Sequence, residues 1–138
     1  MQLTLVRHGE ASPATDGNDI KRPLTSRGHA QAKQTAGFLK DQVIPDIFVV
    51  SPLLRAQETL SHLQAIFPEV AVLICDKIKP DDHAKDAIDW LSQLPFENIV
   101  LVCHMNVVAH IAEQLTHESF NPDALAEARI YEQSVIAN

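Results

Sequence analysis

Leu3-Thr4-Leu5-Val6-Arg7-His8-Gly9 is a strand-length apolar run that stops abruptly at two basic side chains and a glycine. The pattern recurs further along. Ile47–Val50 stops at Ser51-Pro52, and Ile99–Cys103 stops at His104. Val70–Cys75 is another predicted strand, and it leads into the polar stretch Asp76–His83. Helical periodicity fills the gaps between these runs. Ala32, Ala36 and Leu39 recur at helical spacing within Thr25–Lys40, with Thr25 or Ser26 as the expected N-cap. Leu53, Ala56, Leu60, Leu63 and Phe67 share one face of a second predicted helix, closed by Pro68. Its start is expected at Ser51 as N-cap and Pro52 as the first helical residue. Ala84, Ile88 and Leu91 predict a third helix from Ala84 to Leu94, stopped by Pro95; Val107, Val108, Ile111 and Leu115 predict a fourth. The tail Ala128–Ile136 alternates weakly and reads as a last strand.

Strands that alternate with helices imply a mainly parallel sheet covered on both faces. The near-continuous apolar character of the strands fits burial on both sides. The expected fold class is therefore α/β, a three-layer αβα sandwich. With 138 residues, no repeat and no linker, one domain over 1–138 is expected. Apolar residues make up 46% and charged residues 21%, a globular balance. No run reaches the length of a membrane span and no secretory leader is evident, so a cytoplasmic location is expected. The net charge of −7 disfavours nucleic acid and anionic lipid as partners. Cys75 and Cys103, at the ends of apolar runs and without CxxC spacing, read as reduced core thiols.

In sheets of this kind, ligands bind beyond the carboxyl ends of the strands. Three of the strands deliver polar groups there: Arg7 and His8, then Ser51 with Arg55 a turn later, then His104. Taken singly, a histidine after a strand is an ordinary loop residue, Arg55 a solvated helix residue, and His104 a helix cap or metal ligand. A metal is disfavoured, because no carboxylate or cysteine accompanies the two histidines at ligand spacing. Taken together, two arginines and two histidines at one sheet edge make a local anion site in an acidic protein. Phosphate is the natural guest, since guanidinium forks match its oxygens.

Four ordered blocks then carry a resemblance. Arg7-His8-Gly9 after an N-terminal strand, Leu24-Thr25-Ser26-Arg27-Gly28-His29-Ala30-Gln31-Ala32, Ser51-Pro52-Leu53-Leu54-Arg55-Ala56-Gln57-Glu58-Thr59 and Val102-Cys103-His104 together resemble the histidine phosphatase superfamily, which includes cofactor-dependent phosphoglycerate mutases. The resemblance implies a phosphoglycerate mutase-like fold and a phosphorylated histidine at His8. It implies a phosphate-binding shell of Arg7, Arg55 and His104, with Arg22 as a further basic position facing the site. Thr59 is expected to prop the Arg55 side chain, and Gly28 to permit close packing. His8 must be neutral to attack, so its other ring nitrogen needs an acceptor such as a backbone carbonyl. Arg7, Arg55 and a protonated His104 would offset the charge of a loose phosphoryl-transfer transition state, with no metal or cofactor.

Mutases and many phosphomonoesterases of the superfamily carry a glutamate after the third strand to protonate the leaving alkoxide. Here that region reads Asp76-Lys77-Ile78-Lys79-Pro80-Asp81-Asp82-His83. Either Asp81 or Asp82 could serve, although an exposed acidic loop explains both. Phosphohistidine has a better leaving group and needs less protonation. Little chain remains to build a lid, so a shallow site is expected, suited to a side chain presented by another protein. These features most resemble the SixA-type phosphohistidine phosphatases, which implies a phosphorelay or phosphotransfer partner in signal transduction; a monomer is expected for so small a domain without an evident apolar patch. The rival readings are a small-molecule phosphomonoesterase using Asp81 or Asp82, and a catalytically weak phosphate-sensing domain. His29, His62, His83, His110 and His117 are read as partnerless; Trp90 and Phe38 are read as core or half-buried packing.

Overall fold

A computed structural model describes residues 2–14, 17–80, 82–104, 109–111 and, for the backbone alone, 128–132. The elements in chain order are β1 (Gln2–Arg7), a one-turn 3-10 helix (Asp19–Lys21), α1 (Ser26–Leu39), β2 (Ile47–Val50) and α2 (Leu54–Ile66). They continue with β3 (Ala71–Ile74), α3 (Ala84–Ser92), β4 (Asn98–Cys103) and β5 (Ala128–Glu132). The sheet order is β3-β2-β4-β1-β5, with β5 antiparallel to β1 and every other pairing parallel. Residues 109–111 are helical and belong to the helix expected after His104; Val107, Val108 and Leu115 lie outside the described residues.

Alternation along the strands divides the core into two layers. Val6, Phe48, Val50, Val100 and Val102 face Ala36 and Leu39 of α1 and Ala56, Leu60 and Leu63 of α2. Leu3, Leu5, Ile47, Val49, Ile99, Leu101 and Cys103 face Ala87, Ile88 and Leu91 of α3, together with Ile111. The topology explains why the helices divide this way. β1-to-β2 and β2-to-β3 run one way across the sheet, whereas β3-to-β4 runs back. Right-handed crossovers in opposite directions must use opposite faces.

Local sequence sets most element boundaries. Thr25 caps α1, its Oγ1 accepting the Gly28 N–H at 3.0 Å. The start of α2 differs from expectation. Leu53 is its N-cap without a side-chain bond, because the Ser51 hydroxyl is engaged elsewhere. α3 ends at Ser92, two residues early, and Leu94 closes a turn onto the Leu91 carbonyl. β3 is apolar yet mostly exposed, because it is an edge strand bonded to β2 alone. Cys75 and Cys103 are both free thiols in the core. Trp90 is partly buried against the α3 layer, whereas Phe38 is exposed, since it points off the face that α1 turns to the sheet.

The segment after β1 is clamped between α1 and α2. A Cβ on Gly9 would stand 2.4 Å from the Gly28 carbonyl oxygen, and one on Gly28 would stand 2.0 Å from the Glu10 carbonyl oxygen. Thr25 N–H donates to that same Glu10 carbonyl at 2.9 Å, and the Gln31 side-chain oxygen accepts the Glu10 N–H at 2.9 Å. Gly28 therefore permits close approach of two backbones, which no flexible side chain can relieve. Gly28→Ala is expected to cost about 1–3 kcal/mol through overpacking. A denaturation midpoint equal to that of the unsubstituted protein would contradict this packing.

Candidate active site

Parallel register gathers the site. Val6 and Val50 both lie opposite Val102, and Arg7 lies opposite Cys103. The ladder continues past the strand ends, with His8 N–H donating to the Cys103 carbonyl at 3.0 Å and Ser51 N–H to the Val102 carbonyl at 3.1 Å. His8, Ser51 and His104 consequently emerge at one edge, and the His8 and His104 ring centroids are 5.2 Å apart. β1 and β4 are neighbours whose following helices pack on opposite faces of the sheet, the topological point at which such sheets bind ligands.

The His8 Nδ1 lies 2.6 Å from the Gly9 carbonyl oxygen, which can only accept. Nδ1 therefore carries the proton, and Nε2 keeps the lone pair. Burial pushes the His8 imidazole down to about 4, and the nearby Arg55, Arg7 and Arg22 charges add to this against the opposing carbonyl bond. His8 is thus a neutral imidazole with a set tautomer. Thr59 holds its loop in place: the Thr59 Oγ1 accepts the Gly9 N–H at 3.0 Å and donates to the Arg55 carbonyl at 2.9 Å. Thr59 was expected to prop the Arg55 side chain. It instead ties the Arg55 backbone to the His8 loop, because an i−4 carbonyl lies within reach of a helical threonine.

His104 Nε2 lies 2.7 Å from Ser51 Oγ, and that hydroxyl also accepts the Leu53 N–H at 3.3 Å. Ser51 therefore links strand end, helix start and second histidine, rather than capping α2. Burial pushes His104 down to about 3, with His8 and Arg55 adding to the shift. The protonated His104 expected from sequence is replaced in this structure by a neutral one. A buried imidazole ringed by guanidinium groups gains nothing from a further positive charge.

Arg55 is buried, its side chain 5% exposed. Its Nη1 donates to the Asp19 carbonyl at 2.8 Å and its Nη2 to the Asp19 carboxylate at 3.2 Å. The other carboxylate oxygen accepts from Arg22 Nη1 at 3.1 Å, while Arg22 Nε donates to the Ser12 carbonyl at 2.8 Å. Arg55 Nε is buried with no hydrogen-bond partner among the described residues. The structure thus brings together Arg7, His8, Arg22, Arg55 and His104, with Ser51 and Asp19 between them. Asp19 was not anticipated. The available signal was its position three residues before Arg22, within reach across one helical turn.

The acidic loop after β3 has other engagements. Asp82 accepts the Lys79 N–H at 2.8 Å and pairs with the Lys79 ammonium at 3.1 Å, and Asp81 lies outside the described residues. Asp82 also lines a cleft of about 420 Å³ with Asp76, Lys77, His83 and Asp86. That predominantly acidic lining is unsuited to phosphate. Away from the site, His29 and His62 are partners, contrary to expectation, with Nδ1 and Nε2 2.9 Å apart across the α1–α2 contact. His117 lies outside the described residues, and no group of three or more metal-ligating side chains occurs among those described.

Both site histidines sit neutral in the fold, while an unfolded chain protonates them near pH 6.5. Between pH 6.5 and about 4 for His8, and about 3 for His104, the unfolded state binds more protons. Stability is therefore fully present above pH 6.5 and falls on acidification, by roughly 1.4 kcal/mol per pH unit per histidine. Urea midpoints are expected to decline between pH 6.5 and 4.5, and His8→Asn to flatten the slope. A profile that is level across this range contradicts the neutral assignment.

The sequence profile of the histidine phosphatase superfamily, branch 1, matches residues 3–79. The chain is similar to the phosphohistidine phosphatase SixA homolog of Haemophilus influenzae, 32% identical over 92% of this chain and 87% of that one. It is also similar to the phosphohistidine phosphatase SixA of Escherichia coli, 26% identical over 96% of this chain and 87% of that one. Among solved structures, the protein histidine phosphatase SixA complexed with tungstate superposes with a TM-score of 0.80 at 22% identity, covering 99% of this chain and 97% of that one. With its sequence blocks, its mutase-like fold and its convergent basic edge accounted for together, the chain belongs to the histidine phosphatase superfamily, branch 1.

Proposed function

We propose that the protein hydrolyses phosphohistidine on a partner protein, passing the phosphoryl group through a covalent intermediate on His8. The observation that carries this reading is the state of His8: neutral, with Nδ1 held by the Gly9 carbonyl and Nε2 unprotonated within reach of guanidinium charge. That is the condition an imidazole nucleophile needs. Arg7, Arg55 and Arg22 supply the fixed positive charge that a loose, anionic phosphoryl transition state requires, a role magnesium fills in other phosphotransferases. Two relatives that match nearly the whole chain bear the name phosphohistidine phosphatase, and the similar fold complexed with tungstate is an oxyanion complex.

In the first step, the His8 Nε2 lone pair forms a bond to phosphorus as the bond to the substrate imidazole breaks. The departing imidazole keeps the electron pair and takes a proton from solvent. In the second step, a water oxygen attacks phosphorus, the bond to Nε2 breaks, and the water proton leaves to solvent. Imidazole departs far more readily than an alkoxide, so no carboxylic acid is needed at the leaving group. This suits a site whose one described carboxylate, Asp19, is held ionised by Arg22 and Arg55. An anionic phosphoryl group beside His104 raises the affinity of that imidazole for a proton. The protonated His104 therefore belongs to the loaded site. The proposed substrate is a phosphotransfer or phosphorelay domain, which presents its phosphorylated side chain at the sheet edge where His8, Arg55 and His104 meet.

The test is turnover of a phosphohistidine protein beside simple phosphomonoesters. His8→Ala is expected to abolish turnover and the acid-labile radiolabelled adduct seen in rapid quench. Arg55→Ala is expected to lose on the order of 10²-fold or more in rate. EDTA is expected to leave the rate unchanged. Preferential hydrolysis of phosphomonoesters, collapsing in Asp81→Asn or Asp82→Asn, would replace this reading with the small-ester one.

A further inference from the structure

Asp19 stands where the phosphate site has its strongest donors. Its two carboxylate oxygens are divided between Arg55 Nη2 at 3.2 Å and Arg22 Nη1 at 3.1 Å, and its carbonyl accepts from Arg55 Nη1 at 2.8 Å. Two guanidinium groups thus close on one anionic group, as they would on the oxygens of a phosphoryl group. Arg55 is buried and needs a counter-charge whenever no substrate is present. Asp19 supplies it from outside the core: its side chain is 57% exposed, and the one-turn helix that carries it buries none of its residues. An anchor of this kind is cheap to move. A phosphoryl group and the Asp19 carboxylate cannot share the same N–H donors, and two anions at that separation repel each other.

We propose that Asp19 is an internal placeholder for the phosphoryl group. Its carboxylate binds Arg55 and Arg22 in the empty site, yields those donors to the incoming substrate, and competes with product phosphate to speed its release. This rests on the reading of the arginine edge as a phosphate site and extends it, because it assigns Asp19 a positioning role exerted through the arginines. A purely structural role for Asp19, holding the two arginines in shape for phosphate, predicts the opposite sign. Removing the carboxylate would then weaken phosphate binding instead of strengthening it.

The experiment is calorimetric titration of inorganic phosphate into the unsubstituted protein, Asp19→Asn and Arg55→Ala at neutral pH, with product inhibition measured in parallel. Asp19→Asn keeps the size of the side chain and removes its charge, and its exposure makes misfolding a minor concern, checked by circular dichroism. Phosphate is expected to bind Asp19→Asn about tenfold more tightly, in keeping with removal of one competing anion from a partly exposed site. The KM and the phosphate inhibition constant are expected to fall together by a similar factor, with kcat not rising. Equal or weaker phosphate binding in Asp19→Asn overturns the placeholder while leaving the phosphate site in place. If none of the three proteins binds phosphate, the reading of the site itself falls, and the placeholder with it.

Discussion

Parallel pairing of β1 with β4 places Arg7 level with Cys103, and from that register the rest of the site follows. One more residue along each strand brings the two histidine rings to a 5.2 Å separation between centroids. A one-residue slip would exchange the side chains of β1 between the two helical layers and spoil the packing of both, so the hydrophobic layers enforce the register that aligns the two histidines. Stability and function are thus secured by one set of contacts. The neighbouring β2 extends the same ladder, which is how Ser51 comes to meet His104 from a separate part of the chain.

The electrostatics of the edge follow from this crowding. Burial, reinforced by the charges of Arg7 and Arg55, keeps both imidazoles neutral, and the His104 Nδ1 is buried with no hydrogen-bond partner among the described residues. Neutrality is what a nitrogen nucleophile requires, and it comes here from burial first and from the guanidinium charges second. The cost appears elsewhere: a buried cation such as Arg55 needs an anion at all times. Asp19 meets that need in the free protein, from a surface turn that adds nothing to the core. In the loop after the third strand, Asp82 is committed to Lys79. The carboxylate described at the arginines, Asp19, comes from the segment after β1 instead.

Element type was largely legible because periodicity is a local property. β1 to β4, α1 and α2 emerged within a residue or two of expectation, since apolar spacing and the Thr25 cap act over a few residues. The failures share a cause. Ser51 has the chemistry of an N-cap, yet its hydroxyl is drawn to a histidine 53 residues away. Phe38 has the chemistry of a core residue, yet it falls off the buried face of α1. His29 and His62 looked solitary until two helices brought them within 2.9 Å.

By itself, then, the sequence determined which residues form strands and helices, which apolar positions face inward, and which basic side chains follow the strands. Those features rest on short-range spacing and on side-chain chemistry, both of which are written residue by residue. Tertiary structure alone decided the partners: Ser51 with His104, Thr59 with Gly9, and Asp19 with Arg22 and Arg55. It also decided the charge state of the histidines, because desolvation and the sum of distant charges depend on how the chain packs in space.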